Sequence, residues 1–138
     1  MFKVKIDCNI HTATFTRESA IAGESGYQDP LPETALGLVP GVYTFSYVYP
    51  LSRVAVFMHE LTAETTNIQV LELGRKDYEA IYAAEDAATG PTGDIPGTLN
   101  RKSSSGPYGI WGHCLEDLYF EGVNIDTEKK RVEFSMGS

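Results

Sequence analysis

Apolar and polar side chains alternate without interruption at the start of the chain: Phe2, Val4, Ile6, Cys8 and Ile10 take one side, and Lys3, Lys5, Asp7, Asn9 and His11 the other. A period of two dictates an extended strand with one face buried, because successive side chains of a strand point to opposite faces. Burying Phe2, Val4 and Ile6 contributes about 1.5–3 kcal/mol each. A slip of one residue turns the whole set to water, so the register is firm. The pattern recurs over 41–49, where Tyr43, Phe45, Tyr47 and Tyr49 alternate with Val42, Thr44, Ser46 and Val48 until Pro50 ends the run. Strands are also expected over 53–61, 67–73, 110–115 and 118–125. A terminal hairpin follows, with Val132, Phe134 and Met136 alternating after the polar turn Asp126-Thr127-Glu128-Lys129-Lys130.

Segment 77–88 departs from this period. Tyr78, Ile81, Tyr82 and Glu85 share helical spacing, the alanines favour helix, and Gly90-Pro91 is a stop. One short helix is expected there, with a strand through 78–83 as its rival. Residues 17–40 and 89–109 are rich in Gly, Pro, Ser and Thr and read as long connections; a loop as long as the second is usually functional or disordered. A length of 138 residues fits one domain. The chain therefore reads as a single mainly β domain over 1–138, an antiparallel β-sandwich with one short helix and long loops. The jelly roll is the preferred topology. An immunoglobulin-like sandwich is the alternative, but Trp111 stands only three residues before Cys114, so the Cys…Trp…Cys spacing of that fold is absent.

No catalytic or metal motif stands out. The histidines are His11, His59 and His113. Cys8-x-x-His11 would point to opposite faces of a strand, as would His113-Cys114, so neither makes a metal pair. There is no Gly-x-Ser-x-Gly elbow, and Gly90-Pro91-Thr92-Gly93-Asp94 lacks the Lys-Ser/Thr of a phosphate loop. No catalytic residue, cofactor or metal is expected. The first residues also lack the continuous apolar stretch of a signal peptide. Synthesis in a cytoplasm is the expectation, with Cys8 and Cys114 reduced rather than bridged.

Charge excludes some partners. The net charge is −8, which argues against nucleic acid and against anionic membrane surfaces. The acidity is concentrated. Windows 18–33 and 77–94 hold nine acids and no Lys or Arg, and the rest of the chain is +1. These windows are either solvated surface or faces for a basic partner, with Glu85 and Asp86 as the candidates. The aromatic row of 41–49 has three readings: core, protein interface or carbohydrate platform.

In size, strand pattern and loop character, carried by segments 41–49 and 119–134, the chain resembles the small capsid cement (decoration) proteins of tailed bacteriophages. The resemblance implies a non-enzymatic structural protein of the virion surface. Such a protein self-associates as a homo-oligomer and binds major capsid proteins to stabilise their lattice. Its contacts would come from loops and strand edges, with Arg101, Lys102, Tyr108, Trp111, Tyr47, Tyr49, Glu85 and Asp86 as candidate partner-binding residues. Two other classes stay open: a carbohydrate-binding module using Tyr47, Tyr49 or Trp111, and an acidic inhibitor that mimics nucleic acid.

Overall fold

The alternation of 41–49 resolves into a strand with one buried side: Tyr43, Phe45 and Tyr47 are buried, while Val42 and Val48 are exposed. A computed structural model describes residues 2–10, 16–18, 35–90, 92–93, 95 and 101–138, and for 2–9 and 16–18 it describes the backbone. The strands are β1 (Phe2–Asn9), β2 (Thr16–Glu18), β3 (Gly41–Tyr47), β4 (Ala55–Leu61), β5 (Tyr119–Asp126) and β6 (Arg131–Gly137). They form one six-stranded sheet in the order β2-β1-β5-β6-β3-β4. Neighbours are antiparallel except β3 and β6, which run parallel through Phe45 opposite Val132. The terminal hairpin forms as its sequence indicates. Asp126 Oδ1 accepts the backbone N–H groups of Glu128 and Lys129, both at 3.0 Å, which closes the turn.

The one α-helix among the described residues, α1 (Asn67–Thr89), is longer than expected and absorbs the strand expected over 67–73. Two physical reasons explain this. Thr66 and Gln69 form a capping box: the Thr66 hydroxyl accepts from Gln69 N, and Gln69 Oε1 accepts from Thr66 N. From there Val70, Leu71, Gly74, Tyr78, Ile81, Tyr82 and Glu85 repeat at helical spacing and are all buried. The rival strand through 78–83 is excluded, and Gly90 ends the helix with its N–H on Asp86 O.

Helix α1 packs on the aromatic face of the sheet. Tyr47 meets Tyr78 edge-on at 4.9 Å between centroids and stacks on Phe134 at 5.6 Å. Phe134 in turn meets Phe120 at 5.1 Å. The chain is thus mainly β with one helix, and among the described residues every strand belongs to this one sheet. Among the described residues no layer covers the other face of β3, β4 and β6: Val42, Val56, Met58, Arg131, Glu133 and Ser135 are exposed there. The strand expected over 110–115 does not form. Ile110 makes a single bridge to Leu51, Gly109 and Gly112 turn the backbone at positive φ, and Leu115–Asp117 is a 3-10 turn. The acidic window 18–33, the Cys8-x-x-His11 pair and a Cys8–Cys114 bridge fall on residues or side chains outside those described.

Candidate functional site: an aromatic platform on a braced loop

Glu85, near the end of α1, is fully buried, and its carboxylate organises the loop after it. Oε2 accepts from Ser104 Oγ at 2.6 Å and from the backbone N–H groups of Gly106 at 2.8 Å and Ile110 at 3.3 Å. Oε1 accepts from the N–H groups of Tyr108 at 2.9 Å and Gly109 at 3.3 Å. Burial alone raises such a carboxyl, but these donors outweigh it and bring Glu85 down from 4.5 to about 2. A buried carboxylate is tolerable here because its charge meets five hydrogen-bond donors.

The same loop is fastened from the sheet side. Ser52 N donates to the carbonyls of Tyr108 and Gly109, Trp111 N donates to Pro50 O, and Arg53 Nη1 donates to Gly106 O at 2.8 Å. The turn between β3 and β4 therefore holds one flank of the loop and α1 holds the other.

This bracing places three rings together at the surface. Trp111 is 42% exposed, the most open aromatic side chain of the described residues. It meets Tyr49 edge-on at 5.2 Å, and His113 stacks on Tyr49 at 5.5 Å. Tyr49 OH lies 2.9 Å from Ser138 Oγ, which ties the platform to the end of the chain after β6. Beneath it, Tyr82 OH donates to His113 O at 2.8 Å and Tyr78 OH donates to Tyr49 O at 2.6 Å. Burial pushes both hydroxyls well above the ordinary tyrosine value, so they remain donors. A fixed, amphipathic aromatic surface of this kind suits contact with another macromolecule or a sugar face.

The candidate residues divide sharply. Trp111 and Tyr49 come together, and Tyr108 sits half-buried on the same loop. Lys102 is exposed, its backbone N–H donating to Gly93 O. Tyr47, Arg101 and Glu85 turn inward. Tyr47 is core, its hydroxyl donating to Asp77 at 2.5 Å. Arg101 is buried, with its guanidinium 5.3 Å over the Tyr82 ring and 2.9 Å from Asp86. Glu85 is thus buried within the fold, away from any partner's reach, while Asp86 pairs with Arg101 and keeps 38% of its side chain exposed.

Sequence reasoning missed His113 and Ser138 as parts of the platform, and no local pattern marks them. It also missed the His59–Asp77 pair, 2.8 Å apart, which joins β4 to α1. Among the described residues no three His, Cys, Asp or Glu side chains are grouped to hold a metal, and no helix is long and apolar enough to cross a membrane. No family model, curated protein or solved structure matches the chain.

Proposed function

We propose that this chain is a non-enzymatic assembly protein of the capsid cement or decoration type, which binds a lattice of major capsid proteins and stabilises it. The observation that carries the reading is the Trp111–Tyr49–His113 platform, held rigid from both sides by Glu85 and the β3–β4 turn. Rigid display lowers the ordering cost of association, and exposed Trp and Tyr are the residues that dominate binding at interfaces. The reading does not need the jelly-roll or sandwich topology: either takes two sheets, and among the described residues α1 stands where the second would.

The nucleic-acid-mimic alternative loses support, because Asp77 and Glu85 are buried and Asp86 is paired with Arg101. The carbohydrate alternative shares the Trp111 platform, and the same experiment separates the two. Capsids of the source virus carrying the chain, lacking it, or carrying the Trp111→Ala variant are compared for heat resistance. Resistance that falls in the last two supports the proposal. Resistance that never depends on the chain, with glycan binding lost in Trp111→Ala, replaces it with a carbohydrate-binding module.

A further inference from the structure

Among the described residues, strand β4 forms one edge of the sheet, pairing with β3 alone. Natural edge strands are blunted by brevity, charge, proline or a bulge, because their free N–H and C=O groups recruit other strands. The opposite edge obeys this rule: β2 is three residues long and carries Arg17 and Glu18. Strand β4 does not. Its seven residues, Ala55-Val56-Phe57-Met58-His59-Glu60-Leu61, hold no lysine or proline, and its ladder to β3 runs seven pairs without a register shift.

The outward face of this edge is apolar at Val56 and Met58, with Glu60 on the same face near its end. Val56 and Met58 are 56% and 65% exposed, with Val42, Val48 and Val54 alongside at 50–60%. Exposed apolar side chains grouped along a strand edge mark an interaction site. What fits it is set by the strand's own ends. Arg53 lies just before β4 and Glu60 lies near its end, both exposed. An antiparallel neighbour of the same sequence, centred on Phe57, sets each Glu60 opposite Val54 of the other copy, one residue from Arg53, whose Nη1 also holds Gly106 O.

We infer that β4 pairs antiparallel with β4 of a second copy of this chain, with Phe57 opposite Phe57. A two-fold axis relating antiparallel edge strands stands perpendicular to the sheet, so the outer faces of both copies lie on one side. Cross-strand neighbours share a face, which requires a residue to sit opposite its own counterpart on the axis. With Phe57 there, Val56 of each copy faces Met58 of the other, and the two apolar strips close into one. The inference rests on the assembly reading for its purpose and on the strand edge for its geometry, and it names the self-association surface.

The test is native mass measurement and sedimentation of the full chain across concentration. A dimer is expected. Val56→Lys and Met58→Lys should each weaken it about tenfold or more, since the two-fold axis places every added charge in the joint interface twice. Both positions are exposed, so the variants should keep the parent's thermal unfolding. A second measurement reads the register. With Cys8 and Cys114 changed to Ser, Phe57→Cys should cross-link to itself on oxidation, because antiparallel Cα pairs lie about 4.5–5.5 Å apart, within disulfide range. Val56→Cys and Met58→Cys should not. A chain that stays monomeric, or a dimer indifferent to both lysines, overturns the inference even if the chain still binds capsids. A β4 dimer that binds no capsid overturns the assembly reading alone.

Discussion

Ser104 Oγ donates to Glu85 Oε2 at 2.6 Å, across nineteen residues of chain, and this bond is one of five that end on a single buried carboxylate. Glu85→Gln keeps the shape but replaces one oxygen by an amide that cannot accept. At least two donors then lose their partner in a buried site. We expect a loss of about 3 kcal/mol, the scale of hydrogen bonds to a charged group together with the orphaned donors. Urea unfolding of the two proteins measures it. A loss under about 0.5 kcal/mol, the range of an ordinary surface change, would show that the loop does not depend on this carboxylate.

The same residue sets an acid response. Glu85 titrates near 2 in the folded chain and near its ordinary 4.5 when unfolded. The unfolded state therefore takes the proton more readily. The stabilisation is complete above pH 4.5 and is lost as pH falls through the window from 4.5 to 2. The shift corresponds to about 3 kcal/mol across that window. Thermal unfolding from pH 6 to pH 2 should show the parent losing stability faster than Glu85→Gln, so the two curves converge in acid. Parallel curves would contradict it.

Gly74 lies within α1 at the point where the helix comes closest to the sheet. A Cβ there would stand 2.8 Å from Phe134 Cζ and 3.3 Å from Phe120 Cε1. Phe134 is itself held against Phe45, Tyr47 and Phe120 and has little room to move. Alanine improves helix propensity by about 1 kcal/mol, but overpacking a filled core costs about 1–3 kcal/mol. Gly74→Ala should therefore lower the unfolding midpoint, by about 1 kcal/mol net. A raised midpoint would mean that the ring yields.

These residues also mark how far the sequence is legible. Period two is a local signal, so β1, β3, β4 and the β5–β6 hairpin can be read directly. Over 67–73 the sequence supports both periods, since Ile68 and Val70 alternate while Val70, Leu71 and Gly74 repeat at helical spacing. The Thr66–Gln69 capping box decides for helix, and Gly74 then admits the helix to the sheet instead of ending a strand. Glu85 gives no sign of burial, because most of its partners are backbone N–H groups of a distant loop, and those leave no mark on side-chain chemistry. The Trp111–Tyr49 pair depends on that loop and is hidden for the same reason.

Asp77 joins sheet to helix by a different route. Its carboxylate accepts from Tyr47 OH at 2.5 Å and lies 2.8 Å from His59 Nε2, with Asp77 and Tyr47 buried. Burial, then the bond to Asp77, keeps the Tyr47 hydroxyl far above its ordinary pKa and therefore protonated. Asp77→Ala strands this donor in the core and should cost about 3 kcal/mol or more. Asp77→Asn retains an acceptor for Tyr47 and should cost clearly less. Equal losses in urea unfolding would assign the effect to packing rather than to the hydrogen bond.

Trp111 should behave in the opposite way to Glu85. It is half in solvent, and its fixed contacts are edge-on to Tyr49 and tilted to His113. The loop beneath it is held by Glu85, Ser52 and Pro50 through bonds that Trp111→Ala leaves in place, because Trp111 contributes only its backbone N–H to them. Losing one exposed aromatic pair costs about 1 kcal/mol, so the variant should unfold close to the parent. Partner binding should fall by a hot-spot margin of about 2 kcal/mol or more, roughly thirtyfold in affinity. Glu85→Gln should lose binding and stability together, because it releases the loop that presents the ring. A Trp111→Ala variant that unfolds as early as Glu85→Gln would make the tryptophan a structural brace and leave the platform without a binding role.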